Sequence, residues 1–427
     1  MNKAIKIMTM MVMSSMMLSC SLSKSKSLVS MLPESKPMRL TEQQKVFAND
    51  NNGFTLNFMK TVNNTDRSGK SFIYSPLSIT YVLAMVNDAA TGATEKEIEQ
   101  TLGFHEGGIQ AVNEYCKNLI DNLPKVDQKV QLNIANAIFL NQDHILKEEF
   151  RQDMHDYYDA TAEALDFSSK KAVGVINGWC DKKTNGMIPS ILEKVDPNMV
   201  SYLLNAIYFK ADWTKKFNKK NTKTELFACE GGGKKQPMMQ QKVLIRYVKN
   251  STYTAIDIPY GNELWSMTVL LPEEGKTTDD VINLLAETGW AGDYSQHPMR
   301  GAQTYEVDLK LPRFETSSDT DNLDGSLMGL LKKMGITLVF EGTNTEIPNM
   351  CDQPAYINMI RQKAKIKVNE DGSEAAAVTA SGLLGGSAAG SQRTIPKADF
   401  HATRPFVYII NEHSSGIILF VGKFTGM

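Results

Sequence analysis

A stretch of small residues near the C-terminus constrains this 427-residue chain more than any other feature. Residues 368–380 read Val-Asn-Glu-Asp-Gly-Ser-Glu-Ala-Ala-Ala-Val-Thr-Ala, and a Gly/Ser/Ala-rich run continues to Ser391. Because side chains alternate between two faces of an extended chain, four small residues fall on one face: Ser373, Ala375, Ala377 and Thr379. The pattern predicts a loop whose sequence is also acceptable as a central β-strand. Taken by themselves, these residues favour a plain flexible loop.

The composition indicates a globular protein with a sizeable core. Apolar residues make up 42% of the chain and charged residues 22%. The formal net charge of −2 provides no broad basic field for nucleic acid or an anionic membrane. No internal repeat, heptad run or low-complexity linker divides the chain, so one domain over residues 46–427 is expected, and we expect it to be a monomer.

The N-terminus is typical of an export signal. Two lysines precede an apolar run over residues 7–18, which is too short to span a bilayer. The run ends in Leu18-Ser-Cys20, which resembles a bacterial lipobox, so residues 1–19 are expected to be cleaved and Cys20 to carry lipid. Residues 20–45 would form a polar tether to a bacterial envelope membrane, on its periplasmic or surface face. Ordinary secretion and an uncleaved apolar N-terminus are the alternatives.

The remaining cysteines do not suggest a disulfide framework. They are scattered without a C-x-x-C pair, and buried free thiols are expected. The four residues are Cys116, Cys180, Cys229 and Cys351.

Motifs for catalysis and metal binding are also missing. No G-x-S-x-G elbow occurs, the six histidines show no H-E-x-x-H or other useful ligand spacing, and Gly231-Gly-Gly-Lys-Lys235 lacks the Walker spacing. We therefore expect no enzymatic activity, no metal and no cofactor.

Hydrophobic periodicity predicts an α+β protein, with early helices followed by many strands. Helices are predicted at residues 51–61, 75–89, 95–102, 109–123, 147–156, 172–184 and 323–333. Strands are predicted at 130–140, 200–209, 254–258, 265–271, 305–311 and 355–368, with a C-terminal hairpin formed by 406–410 and 416–422. The run at 200–209 is almost continuously apolar, which indicates a strand buried on both faces.

Several motifs, in order from about Asn51 to Lys423, resemble those of the serpins. They are Ser75-Pro-Leu-Ser-Ile79, Thr184-Asn-Gly186, Asn205-Ala-Ile-Tyr-Phe-Lys210, Leu270-Leu-Pro272, Leu311-Pro-Arg-Phe314, the segment at 368–377, and Arg404-Pro-Phe406 with Phe420-Val-Gly-Lys423. The resemblance implies a serpin fold with three β-sheets, about eight or nine helices, and an exposed reactive-centre loop at about 370–396.

The resemblance also implies a metastable suicide-substrate inhibitor of serine proteases. The protease attacks the loop, and the loop inserts into the large sheet before the acyl-enzyme is hydrolysed. A non-inhibitory serpin that acts as a binding or carrier protein is the alternative, which the small residues of the inserting face disfavour. The implied hinge residues are Glu370, Gly372, Ser373, Ala375, Ala376 and Ala377.

The spacing usual in the family, counted from Gly372, places the reactive bond between Gly386 and Ser387. A small residue before the cut suits an elastase-like or subtilisin-like protease. The bond between Arg393 and Thr394 is an alternative for trypsin-like enzymes, and Leu384–Gly385 for chymotrypsin-like or cysteine proteases. Cleavage after Arg393 would leave seven more residues to insert, which is roughly 23 Å of extra strand at about 3.3 Å per residue. We therefore expect a protease to cleave this bond and dissociate without being trapped.

Five more residues are implied to control sheet opening. Ser75, Ser78 and Asn205 are expected to be buried polar groups that satisfy one another. Gln362 stands where the family often has histidine, so a bond to Asn205 is expected without pH sensitivity. Trp213 is expected in the core where the loop begins to insert. Five lysines that follow Trp213 form a basic cluster that resembles a polyanion site, but we expect them to form a solvated face: Lys215, Lys216, Lys219, Lys220 and Lys223.

Overall fold

The computed structural model describes residues 36–66, 68–229, 232–290, 297–323, 326–342, 345–373 and 395–426. Eight α-helices lie within these ranges: α1 Glu42–Thr65, α2 Pro76–Ala89, α3 Gly92–Leu102, α4 Gly108–Asn122, α5 Glu148–Tyr158, α6 Ala172–Lys183, α7 Thr278–Thr288 and α8 Ser326–Lys333. None of the helices in the described ranges is long and apolar enough to cross a membrane.

The same ranges contain fifteen β-strands. They are β1 Phe72–Tyr74, β2 Gln131–Asn141, β3 Thr161–Leu165, β4 Ser201–Asp212, β5 Lys223–Cys229, β6 Gly232–Lys249, β7 Tyr253–Tyr260, β8 Trp265–Pro272, β9 Gln303–Pro312, β10 Phe314–Asp319, β11 Met359–Val368, β12 Gly372–Ser373, β13 Lys397–His401, β14 Phe406–Glu412 and β15 Ile418–Phe424.

One sheet has six strands in the order β10-β11-β12-β4-β2-β3. Its two central long strands, β4 and β11, run parallel and pair directly over residues 202–206 and 359–363. Beyond this paired stretch, the two-residue strand β12 lies between them and is antiparallel to both. We call the directly paired stretch of β4 and β11 the seam.

The other nine strands form a sheet in the order β1-β15-β14-β8-β7-β6-β9-β13, with β5 paired to β6. The long strand β6 pairs with β9 over residues 238–247 and with β7 over 246–249, so it joins two smaller sheets. Together with the six-stranded sheet, these two parts account for the three predicted sheets. The predicted α+β class is therefore present.

The core lies between the sheets and around α2. Every residue of α2 except Asp88 is buried, and this helix contacts both β4 and β15. Ser75 caps α2, since its side chain accepts a hydrogen bond from the Ser78 N–H, and Pro76 occupies the first turn. Strand β4 is buried on both faces, as its continuous apolar run predicts.

The folded body begins before the predicted boundary at residue 46. The Lys36 N–H donates to the Val126 carbonyl at 3.3 Å, and the Met38 N–H donates to Ser414 Oγ at 2.8 Å. Helix α1 starts at Glu42 instead of residue 51, because Thr41 and Gln44 form a reciprocal capping box. The predicted tether at 20–45 is therefore too long at its C-terminal end.

The four described cysteines are free thiols, as expected. Three of them are buried, and Cys229 is half-buried.

Candidate strand-insertion site

The chain that follows β11 turns back and starts a new strand in the six-stranded sheet. Ser373 lies opposite Val368 of β11 on one side and opposite Ala211 of β4 on the other. Gly372 lies opposite Asp212. The last described residues before 374 thus already occupy the gap between β4 and β11.

Ser373 is buried inside this gap. The residue is 1% exposed, and its Oγ lies 2.8 Å from the Tyr260 hydroxyl. Burial raises the pKa of Tyr260 well above its ordinary value, so the phenol stays protonated and can donate to Ser373. The site accepts a small polar side chain here and satisfies its hydroxyl group.

Gly372 occupies a position that no other residue can take without movement of the backbone. Its φ angle of 151° is one that residues with a Cβ rarely adopt. A Cβ at this position would also collide with the carbonyl oxygen of Ala211 in the neighbouring strand. The absence of a side chain therefore allows β12 to enter the sheet.

Trp213 holds the turn between β11 and β12. Its indole Nε1 donates to the Asn369 carbonyl, and its backbone N–H donates to the Asp371 carbonyl, both at 2.9 Å. The indole stacks on Tyr260 with ring centroids 4.3 Å apart. Because Tyr260 also contacts Ser373, one aromatic pair supports both the turn and the new strand.

Two carboxylates of the turn make separate ion pairs. Glu370 is 2% exposed in its side chain and accepts from Arg313 at 2.5 Å and from Thr222 at 2.6 Å. Asp371 pairs with Lys219 at 2.7 Å, and Lys216 lies 3.9 Å from it. Two lysines of the basic cluster therefore contact a hinge carboxylate, while all of its five members except Lys216 are exposed, as expected for a solvated face.

Glu370 stays ionised in this setting. Burial by itself raises the pKa of Glu370, but hydrogen bonds from Arg313 and Thr222 outweigh it and hold the pKa below the ordinary value. The turn is thereby tied to the start of β5 and to the residue between β9 and β10.

Gln362 links both sides of the seam. Its side-chain amide donates to the Asn205 Oδ1 at 3.2 Å and to the Ser75 carbonyl at 2.8 Å, and its Oε1 accepts from the Ser75 N–H at 3.0 Å. Asn205 in turn donates to Asn136 on β2 at 2.9 Å. A strand that enters fully between β4 and β11 must break the bond between Gln362 and Asn205.

The hydroxyl of Ser78 does not join this network. Its Oγ is buried with no hydrogen-bond partner among the described residues, as is the side-chain nitrogen of Asn136. Among the described residues, Gln362 links Ser75 to Asn205 by bonding to both. The expected mutual satisfaction of Ser75, Ser78 and Asn205 is thus replaced by a network centred on Gln362.

Several predicted residues lie outside the described ranges. They are the lipidation residue Cys20, the hinge residues Ala375, Ala376 and Ala377, and the three candidate reactive bonds at Leu384–Gly385, Gly386–Ser387 and Arg393–Thr394.

Sequence reasoning assigned no role to four residues of this site: Thr222, Tyr260, Arg313 and Asn369. Arg313 lies within the motif Leu311-Pro-Arg-Phe314, but nothing local to that motif indicates a partner in the hinge. Asn369 offers a recognisable signal, because its Oδ1 accepts from the N–H of Asp371 at 2.9 Å, an Asx turn.

A family model described as "Serpin (serine protease inhibitor)" matches residues 49–426. The chain belongs to the serpin family. Human serpin I2 is 28% identical over 397 residues, which cover 90% of this chain and 93% of that protein. Chicken (Gallus gallus) neuroserpin is 30% identical over 373 residues, which cover 84% of this chain and 86% of that protein.

Solved serpin structures confirm the predicted fold. The native state of the thermophilic serpin tengpin superposes with a TM-score of 0.77 at 26% identity, covering 92% of this chain and 96% of tengpin. Human thyroxine-binding globulin gives a TM-score of 0.77 at 24% identity, covering 89% and 98%, and supports the fold alone.

Proposed function

We propose that this serpin is a suicide-substrate inhibitor of serine proteases. The observation that carries the proposal is β12, since the chain entering the loop already starts a strand between β4 and β11 with Ser373 buried. By alternation, Ala375 and Ala377 are the next side chains on that face, and both are small enough to follow it. The loop can therefore continue the strand once cleavage releases its far end.

The reaction begins as ordinary proteolysis. The protease serine attacks the carbonyl carbon of the residue before the reactive bond, an ester forms, and the peptide bond breaks as the new amine takes the proton. The freed loop then extends β12 through the seam and carries the ester-linked protease with it. Trapping succeeds when insertion is faster than hydrolysis of the ester.

The energy for this movement comes from new strand pairing. A strand of about 14 residues adds on the order of a dozen hydrogen bonds, each worth roughly 1 kcal/mol net. The gain is comparable to the whole stability of an ordinary domain, about 5–15 kcal/mol. Opening the seam breaks the backbone hydrogen bonds that pair β4 and β11 over five residues, as well as the bond between Gln362 and Asn205. Together these losses cost a few kcal/mol by the same measure, so insertion remains favourable.

The proposed reactive bond joins Gly386 to Ser387, and the proposed target is an elastase-like or subtilisin-like protease. The family spacing from Gly372 and the small residue before the bond support both proposals. The residues of the loop are counted from Gly372, and this position is well defined because the backbone of Ala211 leaves no room there for a side chain. Cleavage after Arg393 is proposed to be unproductive because the extra chain cannot be accommodated.

We further propose export and lipid anchoring through Cys20, which the apolar run and the lipobox-like end of the signal support. Labelled palmitate should be incorporated by the wild-type protein in a bacterial host. Cys20→Ala should abolish the labelling, and equal labelling of this variant would contradict the proposal.

A matched pair of loop variants tests the inhibitory function. Ala375→Arg places a charge on the inserting face, whereas Ala376→Arg places the same charge on the opposite face. With pancreatic elastase, wild type and Ala376→Arg should form an SDS-stable complex and release a peptide that begins at Ser387. Ala375→Arg should be cleaved at the same bond without a complex.

Complex formation by Ala375→Arg at the wild-type level would contradict insertion. Cleavage of the wild-type loop with neither a complex nor a gain in thermal stability would favour the carrier alternative.

A further inference from the structure

We propose that Asp308, Asp399 and His401 form a binding site for a divalent metal ion of the zinc class. Asp308 lies on β9, whereas Asp399 and His401 lie on β13. One potential ligand atom from each residue lies within 4.8 Å of the other two. Asp399 is exposed and the other two residues are half-buried, so an ion in solution can reach the cluster.

The strand register brings the three side chains together. Strands β9 and β13 run parallel, with Asp308 opposite Asp399 and Lys310 opposite His401. Asp399 and His401 are two residues apart on one strand and share a face. Like charges directly opposite each other on neighbouring strands repel, so the two carboxylates favour a cation between them.

His401 supplies a nitrogen that the protein leaves without a hydrogen bond. Its Nε2 is buried and has no hydrogen-bond partner among the described residues. The Oδ1 of Asp308 lies 3.8 Å from this nitrogen, which is too far for a hydrogen bond. A metal ion between these atoms would satisfy the nitrogen and both carboxylates together.

Neighbouring side chains leave the cluster available and help to orient it. Lys310 pairs with Glu225 at 2.9 Å, and Lys397 pairs with Glu306 at 3.3 Å, so both lysines contact other carboxylates. Gln240 donates to Asp308 Oδ1 at 3.1 Å, which orients this carboxylate as partners of metal ligands commonly do.

The ligand types select the metal class. Imidazole nitrogen together with carboxylate oxygen suits Zn²⁺ and similar ions better than Mg²⁺ or Ca²⁺, which prefer oxygen alone. Zinc–ligand distances of about 2.0–2.2 Å require ligand atoms roughly 3.3 Å apart in a tetrahedral site. The ligand atoms lie at most 4.8 Å apart, so their separations must contract by no more than about 1.5 Å, which side-chain rotation can supply.

The ion would fasten an edge strand. Strand β13 is the last strand of its sheet and pairs with β9 in the described structure. It also begins directly after the segment that follows β12. Zinc bound by residues of both strands would hold β13 against β9.

Calorimetric titration of the metal-free, full-length protein with ZnCl₂ tests the site. The wild-type protein should bind Zn²⁺ at this site, and His401→Gln and Asp399→Asn should each weaken binding more than about tenfold. His155→Gln is the matched control, because exposed His155 also contacts an aspartate, Asp156, at 2.8 Å but lies outside the cluster. It should leave the affinity unchanged.

Two further measurements separate this site from adventitious binding. Zn²⁺ should slow hydrogen exchange of residues 397–401 in wild type and in His155→Gln, but not in His401→Gln. With Co²⁺, the absorption spectrum should lack the intense band of a thiolate ligand. Equal Zn²⁺ affinity in wild type, His401→Gln and Asp399→Asn would overturn the proposal, and so would a thiolate band. The exposed Asp399 provides a variant that keeps the test valid if His401→Gln fails to fold.

Discussion

At the scale of single residues, the hinge depends on a carboxylate that is buried and charged. Glu370 is enclosed almost completely, yet Arg313 and Thr222 both donate to it. A buried charge that loses its partner keeps its desolvation cost without compensation. The side chain of Arg313 is 46% exposed, so part of the attraction is screened by solvent.

Arg313→Ala should lower the free energy of unfolding by about 2 kcal/mol, because it leaves the buried Glu370 carboxylate without its charged partner. Arg151→Ala is the control, since Arg151 pairs with Glu148 at 2.9 Å on an exposed helix surface. It should cost less than about 0.5 kcal/mol. Urea unfolding of both variants measures the difference, and equal losses would contradict a special role for the hinge pair.

A second buried ion pair makes stability depend on pH. His413 Nε2 lies 2.9 Å from Asp257 Oδ2 in the nine-stranded sheet. Burial by itself raises the pKa of Asp257, but the hydrogen bond and the charge of His413 lower it to about 2. Burial by itself lowers the pKa of His413, but Asp257 outweighs burial and raises it. Nearby His297 has its pKa lowered to about 3, chiefly by burial.

His413→Gln should therefore destabilise the protein most between about pH 4 and pH 6.5. Because the pKa of His413 is higher in the folded protein than in the unfolded chain, the ion pair stabilises the fold fully at pH values below the unfolded-state pKa. This stabilisation is lost as the pH rises through the folded-state pKa of His413. The lowered pKa of Asp257 gives stability present above about pH 4 and lost as pH falls toward about 2. Melting curves of His413→Gln and the exposed control His155→Gln near pH 5.5 and pH 8.5 test this. A loss for His413→Gln that is larger near pH 8.5 would contradict the assignment.

At the scale of elements, the entry of β12 into the sheet depends on a glycine. Gly372→Ala should expel β12, because the new Cβ meets the backbone of Ala211. Gly275→Ala is the matched control, since Gly275 has a φ angle of +77° and a Cβ added to it would meet nothing within 4 Å. Gly275→Ala should therefore cost about 1 kcal/mol of backbone strain, with no steric collision of the new Cβ.

The fluorescence of Trp213 and limited proteolysis after β11 should both report the expulsion of β12 from the sheet, since the Trp213 indole donates to Asn369 in the turn before β12. Gly372→Ala should change the emission and raise the cleavage rate several-fold, while Gly275→Ala should change neither. Unchanged fluorescence and proteolysis in Gly372→Ala would contradict the requirement for glycine.

Elements with strong local signals were predictable from the sequence. Strand β4 follows from its apolar run, and α2 follows from its Ser-Pro start. The start of α1 was missed although Thr41 and Gln44 carry the capping-box signal. The hairpin of β5 and β6 was missed because β6 has many exposed positions and pairs with β9, which is distant in sequence.

Contacts between distant strands explain the parts of the site that were not predictable. The partner of Glu370 comes from the residue between β9 and β10, and the cluster of Asp308, Asp399 and His401 depends on the register of β9 and β13. No local spacing encodes these pairings. Gln362 was recognised because the family resemblance supplied its partner, Asn205.

At the scale of the whole molecule, the six-stranded sheet is closed along the seam, while a new strand has begun at one end of it. β4 and β11 pair directly over residues 202–206 and 359–363, and β12 occupies the gap beyond them. Full insertion would convert the parallel seam into two antiparallel pairings, as β12 already does over its two residues. The intact protein is therefore proposed to be less stable than its cleaved form.

The thermal unfolding of the loop-cleaved protein, compared with the intact protein, tests this claim most directly. It requires cleavage at Gly386–Ser387 but no trapped complex, so it does not depend on the identity of the target protease. A gain on the order of 10 kcal/mol should raise the melting temperature by more than about 10 °C. Cleaved Ala375→Arg, with a charge on the inserting face, should show little gain. An unchanged melting temperature of the cleaved wild-type protein would contradict loop insertion and the inhibitory mechanism that depends on it.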